Sequence, residues 1–195
     1  MSEPDKFPDE TRAQYRSIAE SGPADYVIQG RHFARHLAGL PDMYLRLLEA
    51  LRSPHLGYPI DRYVHSLQTA TRALRAGHDE EYVFVALFHD VGDAVAPTNH
   101  PEASAAMLRP YISEENYWLV RHHGAFQGHY YYHFIGRDRH LRERYRGHPC
   151  FERTALFCEK YDQESFDRDY DTLPLAAFLP IVQRVLARPA RFVFE

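Results

Sequence analysis

EEYVFVALFHD, residues 80–90, is the most hydrophobic segment of the chain, and it ends on an imidazole and a carboxylate. Apolar residues on almost every side predict a buried central helix. Burying His89 and Asp90 without partners would cost on the order of several kcal/mol, and a bound metal ion would remove that cost. Gly92 would end the helix, which lets both side chains reach one ion. Taken alone, the pair fits a capped helix terminus at the surface equally well.

The rest of the chain also has helical periodicity, and alternating strand patterns of useful length are absent. A first helix is predicted between Asp9 and Gly22, and Gly124 is expected to end the helix that Ser113 caps. The other predicted helices cover residues 24–40, 42–52, 60–76, 80–89, 149–161 and 174–187, with a short one from Pro101 to before Pro110 and an irregular or partly helical stretch at 125–149. The predicted fold class is all-α, a single-domain helical bundle. Residues 1–54 are expected to form accessory helices packed on a metal-binding core at residues 55–195.

Composition and charge exclude several classes of protein. The chain has 195 residues, 45% of them hydrophobic, and a formal net charge of -4. A disordered chain and a generic nucleic-acid surface are therefore both excluded, and no apolar run is long enough for a membrane span. Cys150 and Cys158 form no CxxC pattern, and the first ten residues lack the features of a signal peptide. We expect a cytoplasmic protein without nucleic-acid or membrane partners.

Four further donors are placed on other predicted elements. They are one histidine within a helix, two histidines at helix ends and one aspartate on a core-facing stripe, namely His65, His100, His123 and Asp162. Each has an ordinary explanation as a core histidine bonded to a carbonyl, a helix-start residue or the ion-pair partner of an arginine. Their joint occurrence instead predicts that five segments supply six ligands to one metal centre.

This pattern resembles the H…HD…H…H…D signature of the HD-domain superfamily. In this chain His65, His89-Asp90 and Asp162 match the four ligands at the core of that signature. Most members of that superfamily are phosphohydrolases acting on nucleotides or phosphate esters. A smaller branch contains mixed-valent di-iron oxygenases, such as myo-inositol oxygenase and a phosphonate-cleaving oxygenase. The resemblance implies a helical bundle around a dinuclear centre in which Asp90 bridges two metals and His100 and His123 complete the ligand set.

Short motifs resemble the oxygenase branch more than the hydrolases. HSLQTA, residues 65–70, is similar to its H-x-x-Q-x-A segment, and Tyr161 stands directly before the last aspartate, as an aromatic residue does there. Asp93 occupies a position where many dinuclear HD phosphodiesterases have lysine, and myo-inositol oxygenase has lysine there as well. A carboxylate there would repel a phosphate by roughly 4 kcal/mol at about 4 Å and an effective dielectric near 20. The alternative is that Asp93 caps the turn or pairs with an arginine and faces solvent.

The residues expected around the substrate differ from those of the known oxygenases. Phe166 and Gln127 stand where those enzymes carry substrate-binding lysines, and His55 and Tyr58 replace a tyrosine and a glutamate before the first histidine. The predicted substrate-binding residues are His55, Tyr58, Asp93, Gln127, His129 and Glu159, with Asp93 and Tyr58 also predicted to be catalytic. They favour a substrate that presents an amine, a hydroxyl or an amide. A phosphonate held by Arg121, or by the arginines of residues 137–146, is the alternative.

The function predicted from this resemblance is that of a dioxygenase with two Fe ions, Fe(II) and Fe(III). It would use O2 to cleave a C–C or C–P bond of a small hydroxylated or amino-bearing substrate. Ligand type permits iron without selecting it, because imidazoles and carboxylates also suit Mn and Zn. The alternative function is a phosphohydrolase that uses Mn, Zn or Mg and acts on a nucleotide or a phosphate ester.

Overall fold

The computed structural model describes residues 12–52 and 56–191 of the chain. These residues form α-helices, 3-10 turns and a π-helical turn, and no strand is present among them. The prediction of an all-α fold is therefore confirmed. None of the described helices is both long enough and apolar enough to cross a membrane. His55, predicted to bind substrate, lies outside the described residues.

The chain divides into two compact units, one ending at Asp42 and the other starting at Met43. The first contains a 3-10 turn at Ile18–Glu20 and helix α1 (Pro23–Ala38). No residue of α1 is buried. The division falls before the boundary expected between residues 54 and 55.

The prediction of a first helix between Asp9 and Gly22 is wrong for the residues of that range that the structure describes. Only the turn at Ile18–Glu20 is helical there, because the backbone at Ser17 and at Ser21 is extended and limits the turn to three residues. Asp9 itself lies outside the described part of the chain.

The second unit contains the helices that carry the predicted metal ligands. Within it α3 packs against α4, and α5 packs against α6. Residues 82–88 are all buried, which confirms the prediction of a buried central helix. The helices are α2 (Leu40–Ala50), whose first turn precedes the boundary, α3 (Arg62–Arg75), α4 (Glu80–Phe88), α5 (His100–Leu108), α6 (Glu114–Tyr131), α7 (Phe151–Phe157) and α8 (Leu179–Leu186).

Aspartate side chains start the two helices at the centre of this unit. Asp61 Oδ1 accepts a hydrogen bond from the N–H of Val64 (2.7 Å), and Asp79 Oδ1 accepts one from the N–H of Tyr82 (2.8 Å). Each carboxylate satisfies an N–H that has no partner within its helix and lies at the positive end of the helix dipole. The beginnings of α3 and α4 are thus fixed by local sequence.

Helix α6 is longer than predicted, because it continues through Gly124 to Tyr131. The absence of a side chain at Gly124 serves close packing rather than helix termination, since an added Cβ would lie 3.0 Å from the ring of Pro101 on α5. At Gly128 an added Cβ would overlap the ring of Tyr132. Both glycines therefore sit inside the helix, where neighbouring rings leave no room for a side chain.

The predicted helix at residues 149–161 is split in two. Helix α7 ends at Phe157, and a π-helical turn follows at Cys158–Asp162. Such turns are rare in proteins as a whole, but those that occur are often found at functional sites. This one ends on Asp162, a predicted metal ligand. The predicted helix at residues 174–187 is likewise divided, into a 3-10 turn at Leu175–Ala177 and helix α8.

Candidate metal centre

The structure brings all six predicted donors together. They come from α3, from the residues that follow α4, from the start of α5, from α6 and from the end of the π-helical turn. The most exposed of them is His100, with 28% of its side chain accessible, whereas the side chain of His89 is fully buried. The donors are His65, His89, Asp90, His100, His123 and Asp162.

Asp90 lies between two pairs of imidazoles. Its Oδ2 is 3.6 Å from Nε2 of His65 and 3.6 Å from Nε2 of His89. Its Oδ1 is 3.3 Å from Nε2 of His100 and 3.1 Å from Nε2 of His123. Because each oxygen faces a different pair, one carboxylate can join two ions, each held by one pair of histidines.

Asp162 is the second carboxylate of the cluster. Its Oδ1 lies 3.3 Å from Nε2 of His65 and 3.7 Å from Nε2 of His89, and it accepts a hydrogen bond of 2.8 Å from the side-chain amide of Gln127. Its Oδ2 is buried and has no hydrogen-bond partner. A buried carboxylate oxygen without a partner is costly, and a bound cation would satisfy it.

Each imidazole is oriented by the main chain. A carbonyl can only accept a hydrogen bond, so each Nδ1 donates its hydrogen and each neutral ring presents the lone pair of Nε2 to the cluster. All four rings are thereby set in the form that binds a metal through Nε2. The Nδ1 atoms lie 2.8 Å from Ser165 O for His65, 2.9 Å from Ala86 O for His89, 3.3 Å from Pro97 O for His100 and 2.7 Å from Val120 O for His123.

The distance between two ring nitrogens indicates a positive charge at the centre. Nε2 of His65 lies 3.3 Å from Nε2 of His89. With both hydrogens on Nδ1, two lone pairs face each other, and only a shared proton or a metal ion removes that repulsion. Two groups of donors, which share His89, have ligand atoms within 4.8 Å of one another and could each hold an ion: His65 with His89 and Asp162, and His89 with Asp90 and His123. Imidazole nitrogens and carboxylate oxygens fit a pair of Fe, Mn or Zn ions.

The electrostatics of the cluster favour cations. Burial alone would lower the pKa of His89, but the negative charges of Asp90 and Asp162 outweigh burial and raise that pKa to about 9. Burial opposes the ionisation of Asp90, yet the surrounding imidazoles, His89 and His100 above all, hold its pKa well below the usual value. The pKa of His100 is raised because the attraction of Asp90 exceeds the effect of burial. The site thus holds anionic carboxylates that attract a proton or a metal ion.

A cavity of about 410 Å³ opens onto five of the six donors, and the sixth, His89, is buried behind them. Its wall includes a stack of rings, in which Phe166 lies 4.5 Å from the ring of His65 and 5.7 Å from the ring of Tyr58. A cavity of this size admits a small molecule, and it combines apolar walls with a few polar groups. Besides five of the donors, its lining consists of Tyr58, Pro59, Arg62, Asp93, Gly124, Gln127, Tyr131 and Phe166.

Asp93 forms an ion pair with Arg62 on the cavity wall. Asp93 is buried, with 8% of its surface accessible, so the alternative in which it faces solvent is wrong, whereas pairing with an arginine is correct. The pair is neutral as a whole. The argument that Asp93 repels a phosphate therefore loses its basis, because the guanidinium of Arg62 compensates the carboxylate.

The other predicted substrate-binding residues separate into two groups. Tyr58 and Gln127 line the cavity with Asp93. His129 and Glu159 do not belong to this lining, because His129 bonds the carbonyl of Arg139 (3.3 Å) and the exposed Glu159 pairs with Lys160 (2.7 Å). These two predictions are not supported by where the side chains lie.

None of the arginines considered for a phosphonate belongs to the cavity lining. Arg121 pairs with Glu102 on the surface (3.2 Å), and Arg146 pairs with Glu143 (2.6 Å). The cavity residue that sequence reasoning missed is Arg62. Arg62 precedes His65 by three positions, and this spacing places both residues on one face of a helix. That spacing is the sequence signal that could have identified Arg62 as a cavity residue.

The comparisons with known proteins agree with this geometry. The HD domain family matches residues 62–169, which is more than half of the chain. A comparison with curated proteins finds no match. The matched range starts at Arg62 and includes all six donors and the π-helical turn. The chain therefore belongs to the HD domain family, whose members are generally metal-dependent enzymes.

Proposed function

We propose that this protein is a dinuclear iron oxygenase that cleaves a C–C or C–P bond of a small substrate bearing a hydroxyl or an amine. The observation that carries this proposal is the neutral pair of Arg62 and Asp93 beside the donor cluster. Among the described lining residues, Arg62 is the sole lysine or arginine, and its charge is already compensated. Such a wall offers no uncompensated side-chain cation to a nucleotide or phosphate ester.

Hydrogen-bond acceptors on the cavity wall support a substrate that donates hydrogen bonds. Gln127 gives its amide N–H to Asp162, and its Oε1 is buried without a partner. That oxygen accepts an N–H or O–H of the substrate, and the carboxylate of Asp93 accepts a second. A hydroxyl or an amine satisfies both groups, whereas a fully ionised phosphate has no hydrogen to give.

The chain's own residues would position the substrate and keep water out. Bound iron would supply the redox chemistry with dioxygen. His65, His89 and Asp162 would hold one ion, His100 and His123 would hold the other, and Asp90 would join them. The rings of Tyr58 and Phe166 exclude water from the substrate side, and the fixed Gln127 amide keeps Asp162 oriented. Proximity of the substrate to the metals is the main contribution of such a cavity.

Phosphate ester hydrolysis is the second candidate, and one observation favours it. Arg62 lines the cavity, and its guanidinium would bind a phosphate oxygen if Asp93 released it. Two bridged ions also suit hydrolysis, since they activate water and polarise a phosphoryl group.

Metal loading and product analysis decide between the two functions. Protein purified without oxygen is loaded with Fe, Mn, Zn or Mg. Each form is assayed for oxygen uptake with small amino alcohols, polyols and hydroxyphosphonates, and for phosphate release from nucleotides and phosphate esters. We expect iron-dependent oxygen uptake and a mixed-valent EPR signal after partial oxidation. Phosphate release supported by Zn, Mn or Mg, with no oxygen uptake, would overturn the proposal.

A charge variant tests the role of the ion pair in the same assays. Asp93→Asn frees the guanidinium of Arg62, so we expect inorganic phosphate to bind more tightly than to the unmodified protein. Asp171→Asn is the matched control, because Asp171 pairs with Arg75 on the surface (2.6 Å). Equal phosphate affinity in all three proteins would contradict the argument that the pair excludes phosphate.

A further inference from the structure

A chain of aromatic rings leads from the metal cluster to the surface near the end of α3. The ring of Phe157 lies 5.4 Å from that of His89, and the ring of Tyr161 lies 6.4 Å from that of Phe157. Tyr161 in turn contacts His78, a half-buried residue that follows α3. Tyr161 also stands directly before the ligand Asp162. Aromatic rings, with the redox-active Tyr161 among them, therefore connect the cluster with the protein surface.

Tyr161 and His78 form a hydrogen-bonded pair. The phenolic oxygen of Tyr161 is 2.7 Å from Nε2 of His78. Burial, assisted by the charge of Arg153, lowers the pKa of His78, so the ring is neutral at pH 7 and its Nε2 accepts the phenolic hydrogen. A phenol that loses an electron becomes a strong acid, and a neutral imidazole at this distance is a base in position to take its proton.

Tyr82 lies beside this pair and lacks such a partner. Its ring is 5.9 Å from Phe157 and 6.0 Å from Tyr161, and it stacks on His78 at 4.0 Å. Its hydroxyl is buried and has no hydrogen-bond partner. Oxidising Tyr82 would leave a proton without an acceptor in an apolar site, where an unpaired charge is costly. Of the two tyrosines next to Phe157, Tyr161 is the one equipped for oxidation.

We infer that Tyr161 and His78 form a relay that carries oxidising equivalents away from the metal centre when no substrate consumes them. This inference rests on the proposed function, because it requires a centre that reacts with dioxygen. Tyr161 gives one electron to the oxidised centre through Phe157 and His89, and its phenolic proton moves to Nε2 of His78. A small one-electron reductant in solution, of the ascorbate or thiol class, then returns the electron, and the proton moves back. The relay protects the histidine ligands from oxidation.

A photochemical experiment tests the pair independently of iron. Zinc-loaded protein is illuminated with a ruthenium photooxidant and a sacrificial electron acceptor, and the tyrosyl radical is followed by transient absorption. The chain contains 14 tyrosines, so the comparison of variants identifies the source. We expect the long-lived radical to be lost in Tyr161→Phe and retained in Tyr82→Phe. His78→Gln, which keeps a hydrogen-bonding group but no base, shortens its lifetime. A radical that persists unchanged in Tyr161→Phe would overturn the inference.

A second experiment places the relay next to the metal centre. Iron(II)-loaded protein is mixed with dioxygen in the absence of substrate and frozen for EPR, and its peptides are analysed by mass spectrometry. We expect a tyrosyl signal in the unmodified protein and in Tyr82→Phe. Tyr161→Phe should lack it and should accumulate oxygen on the peptides that carry the histidine ligands. If Tyr161→Phe shows a normal iron EPR signal, and its histidine ligands are oxidised to the same extent as those of the unmodified protein, the relay is overturned but the proposed function is not. A complete lack of reaction between iron and dioxygen overturns the proposed function, and the relay with it.

Discussion

Gly92 is the residue at which an added methyl group should remove one of the two ions of the proposed dinuclear centre. Its N–H donates to Ser104 Oγ (2.8 Å), and an added Cβ would lie 2.6 Å from the Ser104 nitrogen and 2.7 Å from the His100 oxygen. Gly92→Ala would push α5 away and move His100 from Asp90. We expect metal content to fall from two ions towards one and stability to fall by about 1–3 kcal/mol. Elemental analysis and thermal unfolding measure both.

Gly30→Ala is the matched control for this substitution. Gly30 lies within α1, and nothing lies within 4 Å of its added Cβ. Alanine in an open helical position should leave the metal content unchanged and raise stability by up to about 1 kcal/mol. If Gly92→Ala kept both ions and the stability of the unmodified protein, the close packing of α5 would not matter for the second ion.

Gln127 should determine how tightly the cluster binds metal, although it is not a ligand. It donates a hydrogen bond of 2.8 Å to Asp162. Gln127→Leu removes that support, and losses of this kind weaken metal affinity by about 10–100-fold. Competition with a chelator measures the change. Gln163→Leu is the control, since the side chain of Gln163 bonds the carbonyl of Glu159 on the surface (3.0 Å). Equal affinities in both variants would contradict this role.

At the scale of elements, the start of the central helix depends on one carboxylate. Asp79→Ala removes the cap that accepts the N–H of Tyr82, so we expect a loss of about 0.5–2 kcal/mol in the free energy of unfolding. Metal content should stay the same, because the cap lies at the opposite end of α4 from His89. Urea unfolding measures the loss, and Asp79→Asn should recover most of it. A loss of metal in Asp79→Ala with unchanged stability would contradict this explanation.

Elements with a strong local signal could be predicted from sequence, and those shaped by distant contacts could not. Helix α4 was predictable because residues 82–88 are apolar on every side. The continuation of α6 through Gly124 was not, because a glycine there predicts a helix end, whereas it allows close packing on the ring of Pro101, 23 positions earlier in the chain. The π-helical turn at Cys158–Asp162 differs from an α-helix by one extra residue in the turn, and the apolar pattern of that segment does not reveal it.

At the scale of the whole molecule, the six donors could be proposed together because adjacent His89 and Asp90 at the end of an apolar helix need partners. The charge of the cavity could not be predicted in the same way. It depends on the pairing of Arg62 with Asp93, which are 31 positions apart and carry no shared pattern. Glu159 was placed by position relative to other proteins, and its side chain, like that of His129, lies outside the cavity lining.

The stability of the whole protein should depend on metal and pH in linked ways. In metal-free protein the pKa of His89 is raised to about 9 from an ordinary value of 6.5. Its contribution, up to about 3 kcal/mol, is fully present below about pH 6.5 and is lost as pH rises through about 9. Metal competes with that proton, so the stabilisation by metal should grow over the same interval. Urea unfolding with zinc or with a chelator, at several pH values, measures both.

A variant without the imidazole gives the control for this pH dependence. His89→Gln in metal-free form should lose stability less steeply between about pH 6.5 and pH 9 than the unmodified protein. Zinc in large excess over its dissociation constant, about 1,000-fold, should add about 4 kcal/mol to the unmodified protein and much less to the variant. Metal-free protein that became more stable as pH rose over this interval would contradict the assigned electrostatics.

The Nδ1 atom of each of the four imidazoles donates to a main-chain carbonyl. We therefore expect these main-chain hydrogen bonds to hold the rings in place when the neighbouring wall residues are exchanged, although Phe166 also stacks on the ring of His65. Tyr58, Tyr131 and Phe166 can be replaced in combinatorial libraries while the donor geometry is preserved, since the path of the backbone sets it. Evolution has the same freedom, and a single scaffold of this kind can acquire new substrates by changing its cavity walls while its reactive centre stays constant.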